Sequence, residues 1–218
     1  MREAGREGTY EAIRVRAGEG AREIARLHAL GYSGLNVTTP LKEEAFAAAA
    51  RCDPSARAAR AVNTILFSGP EVLGANTDGI GAREAIDALA GNARRILLLG
   101  ASATARAAAV ALGGGGRELF VWNRTAERAA QFARALGVRE WRSGEAAVDV
   151  VLSTLLPEAT LDEDVTRAIR STRVVIDANY GERATLGQRL GRFDVHDGSA
   201  MLQASARASF RLFIGALL

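Results

Sequence analysis

Apolar positions along this chain change their spacing near Asn92, and the two patterns predict two kinds of structure. In the first part, residues 9–16 alternate apolar and polar like a half-buried strand, and residues 20–31 place Ile24, Leu27 and Leu30 at helical spacing. Residues 35–38 are apolar and β-branched, a strand that stops at Pro40. Proline has no amide to continue a ladder, and it suits the first turn of a helix, so a helix is expected to begin there with Lys42 near its start. Cys52-Asp53-Pro54-Ser55 marks a break before a short helix. Residues 61–67 and 71–77 read as two strands joined across Ser68-Gly69-Pro70, a hairpin signal. Asp78-Gly79 ends the second strand and is expected to cap a helix over residues 80–89, which Gly91-Asn92 closes.

Beyond Asn92 the strands become continuous apolar runs, as in a parallel sheet covered on both faces. Residues 94–100 form the first, residues 118–123 the second, and residues 148–154 and 172–179 two more, with helical stretches between them. This βαβαβ series predicts an α/β fold containing a doubly wound, Rossmann-like domain. The expected organisation is an N-terminal α/β domain over residues 1–91, the doubly wound domain over 92–198, and an apolar helix over 199–218 that returns to the first domain. No internal repeat or low-complexity linker interrupts this plan.

Composition narrows the function classes. Hydrophobic content of 48% and charged content of 24% are ordinary for a globular protein, and the net charge is +3. The basic residues are nearly all arginine and are interspersed with acids, so no polybasic arm suggests nucleic acid. Cys52 is the one cysteine, which excludes an internal disulfide and points to a reducing compartment. With His28 and His196 the only histidines, no transition-metal site is expected. No signal peptide or membrane-length apolar run is visible, so a cytoplasmic protein, monomeric or homodimeric, is the expectation.

Three places invite chemistry. Lys42 puts a cation at the positive end of a helix dipole, where a carboxylate is the stabilising choice. A substrate or a paired carboxylate accounts for it; so does an exposed lysine tolerated for a few tenths of a kcal/mol. Gly100-Ala101-Ser102-Ala103-Thr104-Ala105 follows a buried strand where a phosphate loop belongs, although only the first glycine of a G-x-G-x-x-G pattern is present. The Ser102 hydroxyl is a possible phosphate donor there. At the end of the second parallel strand stand Asn123-Arg124-Thr125 and, one turn on, Arg128. An NAD site places a carboxylate at this point, whereas guanidiniums accommodate a 2′-phosphate, so the pattern favours NADP. Solvated arginines in an arginine-rich chain are the alternative.

Together the motifs Asn36-Val37-Thr38-x-Pro40-x-Lys42, Ala61-Val62-Asn63-Thr64, Asn76-Thr77-Asp78-Gly79-x-Gly81, the loop from Gly100, Asn123-Arg124-Thr125-x-x-Arg128, Asp177-Ala178-Asn179-Tyr180 and Asp197-Gly198-x-x-Met201-Leu202 resemble the shikimate dehydrogenase family in order and spacing. The resemblance runs over almost the whole chain. It implies reversible, NADPH-dependent reduction of 3-dehydroshikimate to shikimate in aromatic amino-acid biosynthesis. It implies Lys42 as the acid/base, Asp78 beside it on the same substrate hydroxyl, Asn63 and Thr38 on ring hydroxyls, and Tyr180 reaching the substrate from the second domain. Gly100, Ala101, Ser102, Ala103 and Thr104 would hold the cofactor phosphates, with Asn123, Arg124, Thr125 and Arg128 on its 2′-phosphate. Ala178 and Gly198 would line the nicotinamide side.

The chain departs from the family in three ways. The family opens with a strand and a loop bearing two serines that hold the substrate carboxylate, and this sequence starts after them. Each charged hydrogen bond lost costs roughly 1.5–3 kcal/mol, so weak or absent turnover is expected for the 218-residue form. Ser205 stands where the family has a substrate-contacting glutamine, and Gln203 lies on nearly the opposite helix face. Ser102 and Ala103 replace loop glycines. These differences leave open a related ring acid such as quinate as substrate, or a non-catalytic dinucleotide-binding homologue.

Overall fold

A computed structural model describes residues 8–145 and 147–215. Helix α1 (Gly20–Ala29), strand β1 (Gly34–Asn36), helix α2 (Lys42–Ala48), strand β2 (Arg51–Cys52) and helix α3 (Pro54–Ala59) come first, followed by the hairpin of β3 (Thr64–Ser68) and β4 (Glu71–Ala75). The four strands form one mixed sheet in the order β1-β3-β4-β2, antiparallel except for the β2–β4 pair. Ile24, Ala45, Ala56, Val62 and Ile65 make its small core. Local chemistry sets the helix ends. Asp53 accepts the Ala56 amide at 2.6 Å with Pro54 at the first helical position, which starts α3, and Arg60 in the left-handed region ends it. The Glu44 carboxylate on α2 accepts the amides of Gly18 and Gly20 at 2.8 and 2.7 Å, so α2 supplies the side-chain cap that Glu19, at the cap position of α1, does not make.

The second sheet is entirely parallel. Its strands are β5 (Arg95–Leu99), β6 (Glu118–Trp122), β7 (Arg139–Glu140), β8 (Val150–Ser153), β9 (Val174–Asp177) and β10 (Val195–His196), in the order β10-β9-β8-β5-β6-β7. Helices α5 (Ala103–Leu112), α6 (Ala126–Leu136), α7 (Glu163–Ser171) and α8 (Leu186–Leu190) cross between them. Strand residues alternate between two cores. Ile96, Leu98 and Val121 face one with Leu112 and Phe132, and Leu97, Leu99 and Phe120 face the other with Val165 and Ile169. Burial on both faces is why these strands read as unbroken apolar runs. The strand order reverses between β5 and β8, and in open parallel sheets ligands bind beyond the strand ends at that switch.

Helix α4 (Asp78–Ala90) links the two sheets, packed between α5 and the last helix, α9 (Ser199–Phe213). Both contacts rest on glycine. A Cβ at Gly79 would lie 2.5 Å from the Ala107 carbonyl oxygen of α5, and one at Gly81 would lie 2.4 Å from the Met201 carbonyl oxygen of α9. Gly81→Ala is therefore expected to force α4 and α9 apart and to cost about 1–3 kcal/mol, read as a lower urea midpoint at unchanged slope. An unchanged midpoint would show that this approach is relaxed in solution.

Several expectations change. Residues 9–16 form no strand, because they join neither sheet's ladder and a strand persists only where its amides pair. Pro40 lies in a turn two residues before α2, not in its first turn, and its peptide bond with Thr39 is cis. Asp78 does not cap α4: Thr77 holds the cap position without a side-chain bond, and Asp78 is the first helical residue. The two-residue strands β2, β7 and β10 were not visible in the pattern, being too short for periodicity to register. Of the terminal helix, residues 216–218 lie outside the described residues.

Candidate active site

Lys42 is the only lysine in the sequence; every other basic side chain besides the histidines is arginine. It is 8% exposed at the start of α2, and its Nζ donates to Asp78 Oδ2 at 2.5 Å. The carboxylate resolves the unfavourable cation at a helix start, and Glu43 and Glu44 in the same turn satisfy the dipole. Nζ also donates to Thr104 Oγ1, 3.2 Å away on α5. The other oxygen of Asp78, Oδ1, accepts from Asn63 Nδ2 at 2.7 Å. Asn63 is 5% exposed and is held from both ends of its amide: Oδ1 accepts the Thr77 amide at 2.9 Å, and Nδ2 also lies 3.0 Å from Thr77 Oγ1. Asn76 fixes the approach to α4 by accepting the Asp78 amide at 3.0 Å and donating to the Ala61 carbonyl at 2.9 Å.

Ser205 on α9 closes the group, its hydroxyl 2.9 Å from Thr77 Oγ1 and 3.3 Å from Asn63 Nδ2. One turn on, Ser209 Oγ accepts from Asn36 Nδ2 at 2.5 Å, so α9 lays a second serine against the end of β1. Gln203 is exposed and outside the group. Thr38 and Tyr180 are also exposed, Tyr180 by 49%, and among the described residues neither side chain hydrogen-bonds to the Lys42 group. Thr77, Asn76 and Ser209 acquire their places only through tertiary contacts. The solitary lysine, by contrast, was countable in the sequence.

The loop after β5 lies at the strand-order switch. Gly100 has φ +96°, a conformation L side chains rarely adopt, and a Cβ there would lie 3.0 Å from Thr154 Oγ1. The Ser102 hydroxyl has partners within the protein. It accepts the Ala105 amide at 3.1 Å as the cap of α5 and donates to Thr154 Oγ1 at 2.9 Å, which in turn donates to the Leu99 carbonyl at 3.0 Å. The amides of Ala103 and Thr104, in the first turn of α5, have no partner within the helix. Ala101 and Ala103 keep the surface above them low.

After β6, Asn123 Nδ2 donates to the Thr125 carbonyl at 3.0 Å and holds the turn into α6. Arg124 and Arg128 are exposed at that helix start, and among the described residues neither side chain has a hydrogen bond or ion pair. Two unpaired guanidiniums at the positive end of a helix, with no carboxylate at the end of β6, are a donor set suited to a phosphomonoester. These residues fit NADP. On the other side of the switch, Gly198 comes so close to Ala178 that a Cβ would lie 2.3 Å from its carbonyl oxygen. The neighbouring Asp177 is 2% exposed and accepts the amides of Asn179 and Leu186 at 3.1 and 3.2 Å. Burial pushes its carboxyl above the usual range, against the pull of those amides.

The two halves touch through α3 and α5, where Ala59 and Ala61 meet Ala103 and Ala107. Arg106 of α5 donates to the Ala59 carbonyl at 2.6 Å and pairs with Glu43 beside Lys42. An apolar groove of about 430 Å³ lined by Ile24, His28, Ala48 and Val72 shares no residue with the Lys42 group. Among the described residues no group of three or more His, Cys, Asp or Glu could hold a metal ion, and no helix is long and apolar enough to cross a membrane.

Residues 1–65 match the family model of the shikimate dehydrogenase substrate binding domain. A shikimate dehydrogenase (NADP(+)) of Methanosarcina acetivorans is 44% identical over 129 residues, which cover 57% of this chain and 46% of that protein. The chain thus spans about half the length of that relative. The protein of the same name from Methanothrix thermoacetophila is 35% identical over 224 residues, covering 97% of this chain and 82% of its own length. Among solved structures, shikimate 5-dehydrogenase of Thermus thermophilus in complex with NADP(H) and shikimate superposes with a TM-score of 0.82 at 28% identity, over 98% of this chain and 85% of that one. From Lys42 and Asp78 to the phosphate loop, and in its similarity over nearly all its length, this chain belongs to the shikimate dehydrogenase family.

Proposed function

We propose that the protein interconverts 3-dehydroshikimate and shikimate with NADP(H), as a cytoplasmic monomer or homodimer. Residues 1–91 would bind substrate and residues 92–198 cofactor, with the helix from residue 199 returning to the first unit. The observation that carries this reading is the solitary lysine held by a fixed carboxylate at the junction of the two sheets. When bound, NADPH supplies the hydride. Reduction of a ketone develops negative charge on its oxygen, and the Lys42 ammonium both stabilises that charge and delivers the proton. Asp78 accepts one ammonium N–H and keeps Nζ aimed at the junction; Asn63 holds Asp78 with one Nδ2 hydrogen, and its other, shared between the Thr77 and Ser205 hydroxyls, would turn to a ring hydroxyl. In oxidation the same amine, deprotonated, takes the hydroxyl proton.

Gly100 lets the backbone turn sharply into α5, where the amides of Ala103 and Thr104 would meet the cofactor diphosphate. Asn123, Arg124, Thr125 and Arg128 would hold the 2′-phosphate, and Ala178 and Gly198 would face the nicotinamide. Thr38 would bind a ring hydroxyl, and Tyr180 would reach the substrate from the second unit. Ser205, shorter than glutamine and already bonded to Thr77 and Asn63, favours a second reading with another hydroxy ring acid as substrate. Purified protein at high concentration is assayed for NADP+ reduction with shikimate, quinate and other ring acids. The proposal expects shikimate to give the highest kcat/KM. A faster ring acid would move the assignment to that substrate, and no reduction with any would reject an active dehydrogenase.

A further inference from the structure

The contact between Lys42 and Thr104 joins a group in the substrate half to the helix that opens the phosphate loop. An ammonium has three N–H donors. One goes to Asp78 at 2.5 Å and one to Thr104 at 3.2 Å, which leaves the third for a substrate oxygen. Two fixed acceptors define the direction of the third donor, whereas one acceptor would leave the amine free to rotate about it. The Thr104 hydroxyl is placed for this. Threonine within a helix commonly bonds a carbonyl three or four residues back; Thr104, in the first turn of α5, has no carbonyl of that helix behind it, and its Oγ1 accepts from a side chain 62 positions away. Its neighbours on the loop side, Ala101, Ala103 and Ala105, have no group that reaches across.

From this we infer that Thr104 is a positioning residue for the acid/base, and that it makes the orientation of Lys42 depend on occupancy of the phosphate loop. Thr104 lies in the first turn of α5, the turn whose amides receive the diphosphate, so any adjustment of that turn on cofactor binding moves the hydroxyl against Nζ. Arg106, two residues on, braces the same helix against Ala59 and Glu43, which keeps the contact in register. The inference rests on the dehydrogenase reading for its kinetic consequence, but not for its structural one.

The sole lysine makes the test direct. Protein grown with lysine labelled at 13Cε and 15Nζ gives one side-chain signal, that of Lys42. The expected result is that Thr104→Val changes this signal in the unliganded protein and removes most of its response to NADP+, while Thr104→Ser restores both. In turnover, Thr104→Val is expected to lower kcat for shikimate about tenfold with KM for NADP+ changed less than about twofold, again rescued by serine. Thr104→Ala is read in the same way if valine lowers the melting temperature. A Lys42 signal that superposes on wild type with and without NADP+ overturns the inference, and so does a loss confined to KM for NADP+. If wild type turns over no shikimate, the dehydrogenase reading fails by itself and the Lys42 spectrum still decides the role of Thr104.

Discussion

Lys42→Arg and Lys42→Met are each expected to lower shikimate turnover by about 10²–10⁴-fold while leaving the dissociation constant for NADP+ within about twofold of wild type. The arginine variant is the more informative. It keeps the positive charge and the pairing with Asp78, but a guanidinium does not release its proton at accessible pH. If the site needed only a cation to stabilise developing charge, Lys42→Arg would retain much of the rate. The chain's own usage points the other way, since it carries arginine at every other cationic position and lysine only here. Stopped-flow turnover at high enzyme concentration with fluorescence titration of NADP+ separates the two quantities. An arginine variant within tenfold of wild type would remove the acid/base role.

Arg124→Ala combined with Arg128→Ala is expected to raise KM for NADP+ by roughly 10–100-fold and to leave KM for NAD+ nearly unchanged. Each guanidinium lost from a phosphomonoester removes charge-assisted hydrogen bonds worth about 1.5–3 kcal/mol when shielded from water, and solvent exposure at both positions lowers the loss for the pair to about 1.4–2.8 kcal/mol. Both side chains are exposed and unpaired among the described residues, so their loss leaves no buried partner behind and stability should hold. Steady-state kinetics with both cofactors reads the switch. Equal increases for NADP+ and NAD+ would mean that the pair serves the shared part of the dinucleotide and not the 2′-phosphate.

The residues differ in how far their roles could be read in advance. Lys42 stood out because a cation at a helix start contradicts the dipole, and the family resemblance implied Asp78 beside it. The parallel strands were legible because burial on both faces leaves unbroken apolar runs. Residues 9–16 show the opposite case: their alternation is genuine, yet pairing partners and not periodicity decide whether a strand exists. Ser102 was readable as a polar residue in a phosphate loop, but its hydroxyl is taken by the Ala105 amide and Thr154, and Thr154 lies 52 positions away. Glu44 likewise reads as a solvated helix residue until α1 is laid against it.

The order of the longer strands and helices beyond residue 20, the chemical types available and the conflict at Lys42 were determined by the sequence alone, because they depend on neighbours within a few residues or on simple periodicity. Which donor meets which acceptor was decided only by the tertiary structure. Asp78 reaches Lys42 because glycines at 79 and 81 let α4 sit against the backbones of α5 and α9. Thr104 reaches Lys42 because α5 is seated on α3. A hydrogen bond forms or fails over a few tenths of an ångström, and helix seating, set by many distant residues at once, controls distances on that scale.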